Sequence, residues 1–142
     1  MSRWNIGIII AHCFVLLCCA GCAKDGYGLP NSVKLTGKLS DAGEPLFVEG
    51  LENATGMITV GFHRIEEGKP GPEVTNAMVD IEGNFEIPQG IEPGEYLITV
   101  RQWQPYPQND LLKGKFSERK SPIRRTIDGD TVLEIDISNT EE

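Results

Sequence analysis

A chain that never sustains a helical period has to build its core from strands, and after residue 32 this sequence offers nothing else. Short apolar runs alternate with glycine, proline, asparagine and aspartate. They place candidate strands at 33–39, 46–48, 57–65, 75–81, 84–87, 95–101, 123–127 and 132–137. Period-two patterning assigns the faces: Val33, Leu35 and Leu39 share one side, as do Ile58, Val60 and Phe62, while Val132 opposes Leu133, Ile135 and Ile137. The stretch 66–72, Glu-Glu-Gly-Lys-Pro-Gly-Pro, reads as a loop. Glu82-Gly83 reads as a hairpin turn between the fourth and fifth strands, and Asp128-Gly129-Asp130 joins the last two. The run at 46–48 is the weakest, so the count is seven to eight.

Strands this short and this regularly punctuated predict an all-β fold: a seven- to eight-stranded immunoglobulin/transthyretin-like β-sandwich after an N-terminal signal helix, with a small barrel as the competing architecture. Residues 1–21 read as the signal, 22–31 as a tether carrying Gly26, Gly28 and Pro30, and 32–142 as one folded domain. All four cysteines, Cys13, Cys18, Cys19 and Cys22, lie in or at the end of the signal. The domain is therefore expected to have no disulfide and to be held by packing alone. Removing 21 of 142 residues leaves 121, enough for one ordinary core.

The signal assignment rests on the apolar run 6–17, the charge of Arg3 ahead of it, and the small residues before Cys22. Ala20-Gly21-Cys22 resembles the bacterial lipobox, in which a small pair precedes a cysteine that receives a diacylglyceryl thioether and becomes the new N-terminus. Cys19 stands where that motif usually has leucine. The resemblance implies lipidation of Cys22 and attachment to a membrane through lipid alone. Because Ala23 rather than aspartate follows, it also implies the outer membrane of a cell envelope. Each buried methylene contributes about 0.8 kcal/mol, so two or three acyl chains hold a protein where one does not. Ordinary signal-peptidase cleavage near Ala20 or Ala23 would instead release a soluble periplasmic or secreted domain. An uncleaved anchor fits less well, since the run is short and His12 interrupts it.

Further along, Thr36-Gly37-Lys38-Leu39, Asp41-Ala42-Gly43-Glu44-Pro45-Leu46, Asp80 with Gly83-Asn84-Phe85, and Pro93-Gly94-Glu95-Tyr96 follow one another in order. In that order they resemble the carboxypeptidase regulatory-like, transthyretin-like domain of small bacterial lipoproteins, and 116–122 resembles the segment before its final strands. The resemblance implies an accessory domain without peptidase activity. The residues that carry it have structural roles: Gly37 for a close approach or bulge, Gly43 and Gly83 for turns, Pro93-Gly94 leading into a strand, and Tyr96 as a buried ring whose hydroxyl bonds nearby backbone.

Inventory argues against chemistry. Beyond the signal, His63 is the one histidine, which leaves no His-rich zinc site and no nucleophile elbow for a serine triad to use. It reads as an outward or satisfied strand histidine. The oxygen donors of Asp80, Glu82 and Asn84, and of Asp128 and Asp130, complete no calcium loop and read as turn residues, so no metal and no cofactor is expected. With 12 basic and 21 acidic side chains the chain after the signal carries a net charge of −9, which excludes a nucleic-acid partner. The basic residues Lys113, Lys115, Arg119, Lys120, Arg124 and Arg125 read as solvated loop and strand-edge charge.

The long segment 102–120 has no clear period, and it holds Trp103, Tyr106 and Phe116. Within it Gln-Trp-Gln-Pro-Tyr-Pro-Gln-Asn-Asp, residues 102–110, is the candidate contact for a ligand or partner. Its competing role is to cap one end of the sandwich, with Leu111 and Leu112 pinning it to the core. The expectation is a non-enzymatic, lipid-anchored envelope module with a structural or protein-interaction role. The alternative is a carbohydrate-binding module that uses Trp103 and Tyr106.

Overall fold

The computed structural model describes residues 30–139. The signal 1–21, the lipidation candidate Cys22 and nearly all of the tether lie outside the described residues.

Eight strands form two sheets. In the first, β1 (Val33–Asp41) is central. It pairs antiparallel with β5 (Asn84–Ile91), parallel with β8 (Thr131–Asp136), and at its end with the two-residue β2 (Glu44–Pro45). The second runs β4 (Lys69–Met78), β3 (Met57–Glu66), β6 (Gly94–Trp103), β7 (Arg124–Ile127), antiparallel throughout. The chain is an all-β sandwich, and neither sheet closes into a barrel.

The predicted inner faces meet between the sheets. Leu35, Leu39, Phe85, Leu133 and Ile135 pack from one side against Ile58, Val60, Phe62, Ile98 and Val100 from the other. Phe62 bridges the layers, 6.4 Å from Phe85 and edge-on to Tyr96 at 6.3 Å. Gly37 serves this packing, because a Cβ there would collide with the Phe85 ring and sit 2.6 Å from the Leu133 carbonyl. The Tyr96 hydroxyl donates to the Glu92 carbonyl at 2.7 Å, the corner expected from the sequence. Burial raises its phenol above the ordinary 10.0, with Arg64 opposing and Glu92 reinforcing the shift.

Three local expectations are corrected. The stretch 66–72 is no loop: Glu67 and Gly68 take left-handed φ of 52° and 77° in a two-residue turn, and Lys69 to Pro72 already belong to β4. Both prolines are tolerated there because β4 is an edge strand, where a missing N–H breaks no ladder. Glu82-Gly83 is not a hairpin turn, since β4 and β5 lie in different sheets. Asp80 builds a corner between them, its Oδ1 accepting from the Glu82 N–H at 2.9 Å and the Asn84 N–H at 2.8 Å. The run 46–48 forms no strand; the pairing falls one step earlier, at Glu44–Pro45, while Leu46 and Val48 are buried as loop anchors.

Candidate functional site

The outer face of the second sheet holds the candidate site. Residues that pair across its strands lie on the same side, so Met57 stands beside Trp103, and Thr59 between Met78 and Arg101. Gly61 lies between Asn76 and Thr99, and His63 between Glu73 and Leu97. Glu73 reaches this face through an irregularity: Phe62 pairs with Thr75 but His63 with Glu73, so Val74 is the extra, exposed residue of a bulge. Gly61 then leaves the middle of the face open. A Cβ on it would lie 2.5 Å from Glu73 Oε2 and 2.6 Å from Thr99 Oγ1. The missing side chain is what lets the Glu73 carboxylate lie across the sheet.

The result is a trough of about 480 Å³, with Glu73, Asn76 and Arg101 among its polar lining and Met57, Met78, Trp103 and Tyr106 along its walls. That volume falls within the roughly 300–1,000 Å³ of ligand clefts. Trp103 is half-buried, Tyr106 is 46% exposed, and their rings meet edge to face at 6.2 Å and 86°. Asn76 Nδ2 donates to Glu73 Oε1 at 2.7 Å. Among the described residues Glu73 Oε2 accepts no hydrogen bond, and Arg101 makes neither hydrogen bond nor ion pair.

His63 lies on this outer face, as alternation predicts, yet it is only 4% exposed. Its Nδ1 is 3.0 Å from the Gly71 carbonyl. A carbonyl only accepts, so Nδ1 carries a proton and donates it to Gly71. Nε2 has no hydrogen-bond partner and lies 3.9 Å from Glu73 Oε2.

The aromatic wall is held in place by the long segment after β6. Asp110 Oδ1 accepts from the Gln102 and Leu112 N–H groups at 3.3 and 3.1 Å, and Oδ2 from Gly114 N–H at 2.9 Å. Tyr106 N–H donates to the Thr55 carbonyl at 2.9 Å, and Gln102 Nε2 to the Phe47 carbonyl at 2.7 Å, which ties the segment to the β2–β3 connection. Farther on, the Val100 N–H reaches the Phe116 carbonyl at 3.2 Å and the Ile98 N–H the Ile123 carbonyl at 2.9 Å, covering the β6 edge beyond β7. Phe116 is buried in the core with Leu112 packed against it; Leu111, expected to pin the loop, is 41% exposed.

Of the residues nominated from sequence, Trp103 and Tyr106 fall together on the trough. Glu73, Asn76 and Arg101 were not nominated. Asp128 and Asp130 belong to a turn, where Asp130 Oδ1 accepts from the Lys34 N–H at 2.8 Å. Arg124 and Arg125 lie on the edge strand β7, with Arg124 3.9 Å from Glu95.

No family profile and no curated protein matches this chain. Among solved structures, a DUF3823 family protein from Parabacteroides merdae ATCC 43184 is similar, with a TM-score of 0.47 and 15% identity over 76% of this chain and 46% of that one. The chain thus spans less than half the length of that protein.

Proposed function

We propose that this chain is a non-enzymatic, lipid-anchored module of the cell envelope that acts by binding through the outer face of the β4-β3-β6-β7 sheet. The observation that carries the binding role is the trough itself, a concave polar surface with an exposed aromatic wall. The anchor reading draws on Ala20-Gly21-Cys22, and the domain reading on the carboxypeptidase regulatory-like order of turn residues. The non-enzymatic reading draws on His63: its Nε2 is sealed beneath the sheet face, out of reach of a substrate proton. Lipid at Cys22, with Ala23 after it, suits the outer membrane of a cell envelope as the place of work.

Metabolic labelling with palmitate checks the anchor. Label is expected in the wild type and absent from Cys22→Ala, whose protein moves to the soluble fraction; unchanged label and fractionation would return the chain to the soluble secreted class. For the surface, photo-crosslinkers at Met78 and at Val132 compare the two outer faces in intact envelopes. Crosslinks from position 78 and none from 132 are expected.

A second reading takes the occupant as carbohydrate rather than protein. It is favoured by the placement of Trp103 and Tyr106, whose edge-to-face pair borders the polar centre instead of closing the end of the core.

A further inference from the structure

Resting on the binding role of the outer face, we propose that the trough is a site for a neutral pyranose saccharide, stacked against Trp103 and Tyr106 with Glu73, Asn76 and Arg101 taking its hydroxyl groups. A sugar hydroxyl donates one hydrogen bond and accepts others, so it is best met by an acceptor and a donor side by side. The trough supplies that set. Glu73 Oε2 is an acceptor with no donor among the described residues, Arg101 is a guanidinium with no acceptor, and Asn76 offers an amide already oriented by Glu73.

His63 Nε2 lies 3.9 Å from Glu73 Oε2, beyond hydrogen-bond distance, so Oε2 stays open to a hydroxyl donor from the trough. Charge points to a neutral ligand, because Glu73 and Arg101 cancel within the trough while the chain as a whole is acidic, with 21 acidic against 13 basic residues. The edge beside the trough disfavours an extended peptide. β4 carries Pro70, Pro72 and the Val74 bulge, which interrupt the ladder that a peptide strand would extend.

Titration calorimetry on the full chain in detergent micelles, with maltohexaose, cellohexaose and a hexameric polygalacturonate as probes, tests the proposal. At least one neutral hexasaccharide is expected to bind, and the polyuronate more weakly. Trp103→Ala is expected to weaken binding by at least tenfold, as for a central aromatic anchor. Glu73→Gln, nearly isosteric and on the surface, should lose about tenfold through its charge-assisted hydrogen bond. A retained denaturation midpoint in Glu73→Gln separates lost contact from lost fold. Binding that survives both substitutions, polyuronate binding at least as tight as the neutral sugars, or no binding by either neutral probe would each overturn the saccharide site. If crosslinks from position 78 to an envelope protein persist while the neutral sugars fail to bind, the saccharide is overturned and the binding module is left standing.

Discussion

The two outer faces of this sandwich are both built from paired strands but have opposite character. On the first sheet Lys34, Lys38, Glu86, Val132 and Glu134 stand out into solvent, with Val132 74% exposed. On the second, Gly61, His63, Leu97 and Thr99 are buried although no second sheet covers them. A depression of about 900 Å³ between the first sheet and the β4 edge, with Thr36, Lys38, Glu86 and Val132 on one side and Asn76 and Met78, shared with the trough, on the other, is larger but has no exposed aromatic ring. The difference is not size. It is that one face is a solvated exterior and the other is a designed concavity, with a bulge, a glycine and an anchored aromatic segment each contributing one part.

The aromatic segment is the part most easily broken. Asp110→Ala removes the acceptor for three backbone N–H groups, and at about 0.5–1.5 kcal/mol per hydrogen bond the expected loss is about 2–3 kcal/mol. Chemical denaturation should read that loss, and limited proteolysis should find new cuts within 104–115. Glu134→Ala on the first sheet's exposed face is the matched control and should stay within about 0.5 kcal/mol of wild type. Equal effects from the two would erase the distinction between the faces.

The inner faces were legible in the sequence because alternation alone decides them: once Ile58, Val60 and Phe62 face inward, Thr59, Gly61 and His63 must face outward. What those outward residues meet was not legible. His63 faces Glu73 only because Val74 is bulged, and no local pattern in 69–78 announces that shift against two prolines. Trp103 and Tyr106 were visible as aromatics in a long loop, yet their polar companions come from β4 and β6 through register. Asp110 carried a signal that could have been read, an acid followed four residues later by Gly114 in a left-handed turn. The stretch 66–72 differs for the opposite reason: its proline and glycine density predicts a loop, although an edge strand accepts both.

A smaller effect is expected from filling the trough at its floor. Gly61→Ala puts a methyl group against the Glu73 carboxylate, which can swing away, and against the Thr99 hydroxyl, which is buried and held toward the Gly61 carbonyl at 3.4 Å. The expected cost is about 1 kcal/mol, at the low end of overpacking, with Glu73 displaced from the face. Lys38→Ala at the corresponding exposed level of the first sheet should be neutral within about 0.5 kcal/mol. A denaturation series on both, combined with saccharide titration of Gly61→Ala, separates the two contributions. Unchanged stability together with unchanged titration would mean that the glycine is incidental.

The smallest expected effect reverses the comparison, because it makes the first sheet the more sensitive one. Asp136, at the end of β8, has its carboxyl held below the ordinary 3.8 by the Ser138 hydroxyl first and then by backbone N–H groups of Ser138, Ala42 and Gly43, against a small opposing effect of burial. A carboxyl with a depressed folded value contributes stability that is fully present above its unfolded value and is lost as pH falls through the folded one. Acid below about pH 4 should therefore loosen the β1–β2 turn, where Asp136 clasps Ala42 and Gly43. Asp136→Asn should flatten the acid limb of the stability curve while leaving the neutral-pH fluorescence of Trp103 unchanged. The carboxylate is well solvated at the end of the strand, so the change is expected to be small. If Glu73→Gln flattened the acid limb and Asp136→Asn did not, the acid-sensitive carboxylate would lie in the trough, and the first sheet's outer face would be the inert one in this respect too.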